Sequence, residues 1–243
     1  MSPSGACSYW WSEVEVLNLE KRYRLIYKPL VFIASLLPLA WMVCGAFGWL
    51  GQSLGPDPVK RLEHFCGQTA LNFLMITLVV SPLRELAKWP NVLRLRRMLG
   101  LFAFFYVLLH FTIYVVLDQE LAFRSVLADV AKRPYITIGF AALLMLIPLA
   151  ITSTNRMMRR LGRRWQKLHR LIYVIAVLGV WHYYWQVKRD VREPLLYAAI
   201  LAVLLGYRYV RRRRQLARSR GARANAQAQL TSRSAPATAQ ERN

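Results

Sequence analysis

The feature that most constrains this chain is its first long apolar run. From Pro29 to Pro56 the sequence contains no Asp, Glu, Lys, Arg or His. A helix of about 20 apolar residues spans the hydrocarbon core of a bilayer, and a soluble domain does not gather its apolar residues into uncharged runs of that length. The chain of 243 residues is also 56% hydrophobic. These observations predict an integral membrane protein rather than a soluble domain.

Further apolar segments follow, separated by basic stretches or by turn-forming residues such as those at 54–58. Together they predict an all-α bundle of six transmembrane helices. We expect helices at about 29–50, 64–82, 98–117, 134–152, 168–187 and 194–207. Residues 1–28 form an N-terminal segment and 29–210 the helical domain. Residues 211–243, rich in Arg, Ala, Gln and Ser, are expected to be a basic disordered cytoplasmic tail.

The distribution of positive charge predicts the orientation in the membrane. The formal net charge is +22. With six helices both termini lie on one side, and that side receives 26 Lys and Arg against 8 on the other. Because such an excess marks the cytoplasmic side, both termini are expected in the cytoplasm. The charge is therefore interpreted as a topology signal beside anionic membrane lipid, and no nucleic-acid partner is expected.

Two of the four histidines lie at matching depths in predicted helices. His110 is thirteen residues beyond Arg97, and His182 is twelve residues beyond Arg170. At 1.5 Å per residue both lie about 18–20 Å from the cytoplasmic rim. Two histidines at one depth on two helices suit a b-type haem, with one imidazole on each face of the porphyrin. The alternative is that each histidine only makes hydrogen bonds within the bundle.

The spacing of the other two histidines is less informative. His169 lies at the cytoplasmic mouth of the fifth helix, about 20 Å below His182 and about 140° from it around an ideal helix. At the depth of His169 the third helix carries Arg96 and Arg97 rather than a histidine. His64 begins the second helix at the outer rim, where it could meet haem propionates or a partner, or cap the helix.

Several motifs carry a specific resemblance to a known family. They are GPDPVKRLEHFCGQTALNFL (55–74), RRMLGLFAFFYVLLHFTIY (96–114), RPYITIGF (133–140), ITSTNRMMRRLGRRWQKLHRLIYV (151–174) and HYYW (182–185). Over about residues 28–210 the chain resembles the MsrQ family, also called YedZ, the haem-binding membrane subunits of periplasmic methionine sulfoxide reductase systems. More broadly it resembles the ferric-reductase-like transmembrane domain shared with NADPH oxidases and metalloreductases.

The resemblance implies electron transfer across the bacterial inner membrane. Family members take electrons from quinol and use b-type haem and FMN. They pass the electrons to MsrP, a periplasmic molybdopterin enzyme that repairs oxidised methionines in envelope proteins, so the chain would be an electron-transfer subunit rather than the catalytic one. By position, His110, His169 and His182 match the family's haem-associated histidines. His64 falls in a recurring H-F-x-G-x-T-A-L segment whose role is unassigned.

Two departures from oxidase-type relatives bear on the cofactors. Those relatives carry two histidines fourteen apart on the third helix, whereas the position fourteen before His110 is Arg96. Guanidinium groups in the cytoplasmic loops suit a flavin phosphate, although they are also ordinary topology determinants. The candidates for an FMN phosphate are Arg96, Arg97, Arg163 and Arg164. No G-x-G-x-x-G motif follows the last helix, so electrons from NAD(P)H would need a separate protein, whereas quinol would not.

Other functions stay open on the sequence. A ferric or other metal reductase would use the same scaffold, but the expected dehydrogenase domain does not follow. A histidine-dependent transporter or proton channel would place more charged residues in the helix cores, which hold almost none besides the histidines. An assembly factor without redox activity would bind no haem. A reduced-minus-oxidised absorption spectrum distinguishes most of these functions.

Overall fold

The apolar segments form helices in the computed structural model, which describes residues 23–49, 55–86, 92–187 and 190–234. The chain divides into two units, Met1–Leu201 and Ala202–Asn243. The α-helices of the described residues are α1 Lys28–Ala46, α2 Pro58–Leu86, α3 Val92–Ile113, α4 Phe123–Lys132, α5 Pro134–Ile151, α6 Asn155–Leu161, α7 Arg163–Leu168, α8 Leu171–Gln186 and α9 Arg192–Ser234. Single π-helical stretches at Tyr23–Tyr27 and Tyr114–Asp118 extend α1 and α3.

Five candidate membrane spans occur in the described residues, judged by length and composition. They are Leu25–Ala46, Pro58–Arg84, Leu95–Asp118, Pro134–Ile151 and Arg192–Gln227. This confirms the expected all-helical membrane protein. The count differs from the predicted six because α8 has 16 residues, about 24 Å of helix, which is shorter than the roughly 30 Å hydrocarbon core. The predicted helix over 168–187 is broken at His169 and Arg170, between α7 and α8.

Helix α2 begins earlier than predicted, at Pro58 instead of at 64. Proline is favoured in the first helical turn, where its missing N–H would have had no partner. Asp57 caps the helix, since its carboxylate accepts hydrogen bonds from the backbone N–H of Lys60 at 3.2 Å and from the Lys60 ammonium at 2.6 Å. The bond from the ammonium lowers the pKa of Asp57. The hydropathy pattern had therefore assigned the polar first residues of α2 to a loop.

Short helices α4, α6 and α7 lie in connections that the sequence pattern left as loops. Helix α4 is amphipathic: Val126 is buried, whereas Phe123 and Leu127 are exposed one turn apart. Its ten residues are too few to produce a transmembrane signal in the hydropathy. The connections are thus more ordered than their polarity suggested.

Two helix pairs build the part of the first unit that matters for function. Helix α2 packs against α3, and α5 packs against α8. Contacts of α3 with α5 and of α2 with α8 join the two pairs into one bundle. Histidines on α3 and α8 therefore come from different pairs and can meet inside the bundle.

Tyr106 connects α1 to this bundle. Its side chain is fully buried, and its hydroxyl donates to the carbonyl of Ser35 at 2.8 Å and accepts from the N–H of Leu39 at 3.1 Å. These two backbone groups would otherwise bond each other in an α-helix. The neighbouring Pro38 already interrupts the helical hydrogen bonds, so the tyrosine hydroxyl satisfies groups at a weak point in α1.

Helix α9 extends through residues for which the composition predicted disorder. It reaches Ser234, so residues 211–234 are helical, while 235–243 lie outside the described residues. Ala, Arg, Gln and Leu are good helix formers, and extending a helix costs less than starting one. Within the second unit, the Arg213 guanidinium donates to the Tyr209 hydroxyl at 2.7 and 3.0 Å.

Candidate functional site

A cavity of about 970 Å³ lies within the first unit, between α2, α3, α5 and α8. Its volume is at the upper end of the range for sites that hold small molecules and cofactors. His64, His110 and His182 all line it. Much of its remaining wall is apolar, with residues such as Leu71, Val107 and Leu143, so a large and mostly apolar group would fit.

The structure brings His110 and His182 together across this cavity. Their ring centroids are 6.3 Å apart, and the two ring planes are inclined at 78°. Both side chains are half-buried. The two residues selected by counting depth from the cytoplasmic rim are therefore neighbours, on helices from different pairs.

Each of these imidazoles is held by a backbone carbonyl. Nδ1 of His110 lies 2.8 Å from the carbonyl oxygen of Glu63, and Nδ1 of His182 lies 2.7 Å from that of Tyr135. Because a carbonyl can only accept, Nδ1 must carry the proton in both rings. The lone pair of each Nε2 is then available to bind a metal, as is usual where a second partner orients a ligating histidine.

A glycine lies beside each imidazole. A Cβ built on Gly67 would lie 3.2 Å from Nδ1 and Cε1 of His110, and a Cβ on Gly139 would lie 2.8 Å from Nδ1 of His182. Each glycine is four residues after the carbonyl that its histidine bonds, one turn further along the same helix. The two helix pairs thus use one arrangement twice: a carbonyl, a glycine in the next turn, and an imidazole seated over both.

These donors fit a haem iron better than a free metal ion. An iron between two opposed imidazole nitrogens, each at about 2 Å, requires ring centroids about 6 Å apart, and the observed separation is 6.3 Å. No group of three or more His, Cys, Asp or Glu able to hold a metal ion occurs among the described residues. Two neutral donors alone suit a metal whose other ligands come from a macrocycle.

His169 lies apart from this pair and does not line the cavity. It follows α7, and its ring stacks on Trp165 with centroids 3.9 Å apart, while Nδ1 donates to the Trp165 carbonyl at 3.1 Å. Burial lowers the pKa of its imidazole. Nε2 is buried and makes no hydrogen bond to any part of the chain that the structure describes. The break between α7 and α8 separates the His169 ring from the His110–His182 pair.

The other sequence-predicted residues lie at the two ends of the bundle. His64 is exposed at the end of the bundle where α2 begins, with its ring 5.7 Å from that of Tyr183. At the opposite end Arg96 donates to Ser81 Oγ at 3.3 Å, and Arg97 donates to Asn155 Oδ1. Arg163 and Arg164 are exposed at the start of α7. The four arginines thus lie on α3 and α7, and the two on α3 already contact other helices.

Sequence reasoning missed Gly67, Gly139 and the two carbonyl groups. A glycine inside an apolar helix is a weak signal of close packing, and it does not show which ring approaches. The backbone carbonyls leave no mark in the sequence. The sequence contained one signal, which is a repeated spacing. Glu63 and His110 are 47 residues apart, and so are Tyr135 and His182.

Comparisons with known proteins show the class to which this chain belongs. The model of the family described as ferric reductase like transmembrane component matches residues 63–180, which cover three of the four cavity helices over most of their length and the first part of α8. The helical spans, the paired imidazoles and this match define a ferric-reductase-like transmembrane protein. No solved structure matches the chain.

Several curated proteins are similar over most of the chain. A relative from Xanthomonas euvesicatoria pv. vesicatoria is 52% identical over 189 residues, 74% of this chain and 84% of the relative. One from Herminiimonas arsenicoxydans is 49% identical over 183 residues, 74% of this chain and 83% of the relative. Both are named protein-methionine-sulfoxide reductase heme-binding subunit MsrQ. The chain belongs to the MsrQ family.

Proposed function

We propose that this chain binds a b-type haem between His110 and His182 and conducts electrons across the bacterial inner membrane. The observation that carries the proposal is the pair of Nδ1-anchored imidazoles, 6.3 Å apart in a cavity of about 970 Å³. A haem supplies reversible one-electron chemistry when bound. It would be held without covalent attachment, because Cys7, Cys44 and Cys66 form no C-x-x-C-H motif.

The protein's own contribution is to orient and insulate. The carbonyls of Glu63 and Tyr135 fix the tautomer of each histidine and aim both Nε2 atoms inward. The apolar wall excludes water, which keeps an iron site in a low-dielectric environment. The polar residues near the outer end of the cavity, including Lys60 and Arg133, suit the carboxylates of a haem edge.

The proposed topology has six membrane crossings, with α8 as the fifth of them. Helix α8 carries no Asp, Glu, Lys or Arg, and the basic residues of α6 and α7 precede it on the expected cytoplasmic side. A short apolar helix can cross where the bilayer thins or flanking residues extend to the interface. Both termini then face the cytoplasm. This agrees with the count of 26 Lys and Arg on the side of the termini against 8 on the other side.

The electrons are proposed to come from quinol and to leave for a periplasmic molybdopterin methionine sulfoxide reductase, MsrP. The relatives' names, which call them subunits of a protein-methionine-sulfoxide reductase, support such a partner. FMN is proposed as a second cofactor at the cytoplasmic end, with its phosphate near Arg96, Arg97, Arg163 and Arg164. His169, whose Nε2 is buried without a partner among the described residues, is proposed as a further haem-associated ligand.

The experiment that tests this function is a dithionite-reduced minus oxidised absorption spectrum of the purified protein. Protein from haem-replete cells should show the sharp bands of a low-spin, bis-histidine haem. A colourless preparation would refute the electron-transfer function. Flavin released by denaturation and identified by its fluorescence would test FMN separately.

A further inference from the structure

The short helix α4, in the connection between α3 and α5, exposes an apolar face. Phe123 and Leu127 are 68% and 70% exposed, and Ala131, one turn further, is exposed as well. Successive residues of an α-helix are rotated by about 100°, so these three side chains lie within about 80° of one another. Single exposed apolar residues are common on protein surfaces, but an exposed stripe of them indicates a surface that something covers.

The rest of the helix surface divides into a packed face and a polar face. Val126 is buried, and Asp129 and Val130, which lie beside it around the helix, are half-buried. Ser125 and Lys132, on the third face, are exposed. Helices that lie in the plane of a membrane interface combine an exposed apolar face with a polar one in this way.

The packed face fixes the rotation of α4 about its own axis. Asp129 Oδ2 accepts a hydrogen bond from the Tyr114 hydroxyl at 3.0 Å, and Asp129 Oδ1 lies 3.2 Å from Nε of Arg133. The Thr137 hydroxyl donates to the carbonyl of Val130. These bonds tie α4 to the end of α3 and to the first turn of α5. Turning the apolar face inward would break them.

The chain on either side of α4 holds the helix at the edge of the membrane. One candidate span ends at Asp118 and the next begins at Pro134, which leaves few residues on either side of α4. Before the helix, the N–H of Leu121 donates to the carbonyl of Val115 at 2.9 Å, so the chain folds back onto the last turns of the span. Helix α4 therefore begins at the level where α3 leaves the membrane.

Exposed apolar residues lead from the end of α3 into α4. Val116, Leu117 and Leu121 are 41%, 47% and 54% exposed, and the first two belong to a candidate membrane span. The apolar face of α4 thus continues a surface that meets lipid. It is also small: a Phe and a Leu together bury on the order of 300–400 Å², whereas a specific protein interface buries about 800 Å² of each partner.

We propose that α4 lies in the membrane interface and binds phospholipid, with Phe123 and Leu127 inserted among the acyl chains. Interfacial helices bury their apolar face about 5–10 Å into the boundary between headgroups and acyl chains. Arg124 and Lys132, both exposed on the polar side of the helix, then lie beside the lipid phosphates. The occupant of the apolar face is lipid rather than a folded protein.

This contact also supports one end of the cavity. Asp129 of α4 bonds Tyr114 and Arg133, and both of these residues line the cavity. A helix held by lipid on one face and by Asp129 on another keeps the two cavity residues in place. The inference concerns α4 and lipid, so it does not depend on haem binding.

The first test is photo-crosslinking of the full-length protein in cell membranes. The photoreactive residue p-benzoylphenylalanine replaces Leu127, and its excited carbonyl adds across a nearby C–H bond, so that the adduct carries the mass of both partners. Mass spectrometry should find phospholipid adducts at position 127, several-fold more abundant than with the same residue at Lys132, on the polar face. Position 123 is treated in the same way and should also give phospholipid adducts.

The second test measures the environment of the same positions without a chemical reaction. Acridonylalanine, a fluorescent residue, is placed at 127 or at 132 in protein reconstituted into nanodiscs of phosphatidylethanolamine and phosphatidylglycerol. Doxyl-labelled phospholipid should quench the residue at 127 several-fold more than at 132, and aqueous iodide should show the reverse order. Equal iodide quenching at both positions would overturn the proposal, as would adducts of protein mass at 123 and 127 in place of phospholipid adducts.

Discussion

The imidazoles of His110 and His182 face each other with ring centroids 6.3 Å apart and planes inclined at 78°. The two rings are oriented by different helices. Nδ1 of His110 bonds a carbonyl of α2, and Nδ1 of His182 bonds a carbonyl of α5. Each ring is thus set by its own helix pair, and the distance between them is set by how the two pairs pack. A group bound between them would hold the pairs together.

Removing either imidazole should abolish one and the same haem signal. We expect His110→Ala and His182→Ala each to lose the bis-histidine bands, because one axial ligand alone does not maintain a low-spin haem. The measurement is the reduced-minus-oxidised spectrum together with the haem content per protein. Trp181→Phe, at an exposed position of α8 that does not line the cavity, is the control and should keep both. Retention of unchanged axial ligation in His182→Ala would show that the pairing is wrong.

Gly139→Ala should impair haem binding because it displaces the imidazole of His182. The added methyl carbon would lie 2.8 Å from Nδ1 of His182, so the ring must move away from the Tyr135 carbonyl. Gly67→Ala should be milder, since its nearest approach to His110 is 3.2 Å. Gly206→Ala meets nothing within 4 Å and serves as the control. Haem content measured after purification should follow the order Gly206→Ala, Gly67→Ala, Gly139→Ala, from highest to lowest.

Tyr106→Phe should destabilise the protein without changing its haem spectrum. The hydroxyl satisfies the carbonyl of Ser35 and the N–H of Leu39 next to Pro38, and leaving such buried groups unpaired costs about 1–3 kcal/mol. Thermal unfolding in detergent, followed by tryptophan fluorescence, should show a lower midpoint. Tyr184→Phe, at an exposed position, is the matched control. An unchanged midpoint would mean that α1 closes its own hydrogen bond when the hydroxyl is absent.

The Asp57 cap should give a stability difference that depends on pH. The Lys60 hydrogen bond lowers the pKa of Asp57 below its ordinary value. A carboxyl with a lowered folded-state pKa contributes stability above its unfolded pKa, and this is lost as pH falls through the folded value. The unfolding midpoints of wild type and Asp57→Ala should therefore differ at pH 7 and converge as the pH falls through the lowered pKa of Asp57. A difference that persists at low pH would indicate that the carboxylate is not responsible.

The number of crossings can be read from the location of the C-terminus. Six crossings place residue 243 in the cytoplasm with the N-terminus, whereas five would place it in the periplasm. A green fluorescent protein fused there should fluoresce, and an alkaline phosphatase fused there should be inactive. The same reporters fused after Asp118, in an expected outer connection, should give the reverse pattern. Phosphatase activity at the C-terminus would show that α8 does not cross.

Several properties of this protein could be predicted from the sequence because each of them is a sum or a count over residues along the chain. Hydropathy is a sum over neighbouring residues, so the uncharged run after Pro29 was enough to predict a membrane helix. Depth is proportional to the number of helical residues, so counting from Arg97 and Arg170 selected His110 and His182 as partners. The expected orientation rests on charge counts alone and stays a prediction.

Other properties depend on which surfaces meet, and only the tertiary structure decided them. The carbonyls of Glu63 and Tyr135 have no residue type that reveals them, and Gly67 and Gly139 matter only because an imidazole packs over them. Glu193 is 125 residues from Gln68 in the chain, and the hydrogen bond between them forms only because the start of α9 lies beside α2. The break before α8 separated His169 from the pair. Local patterns determine which segments enter the membrane and how deep each side chain lies, whereas contacts between helices determine which of those side chains form a site.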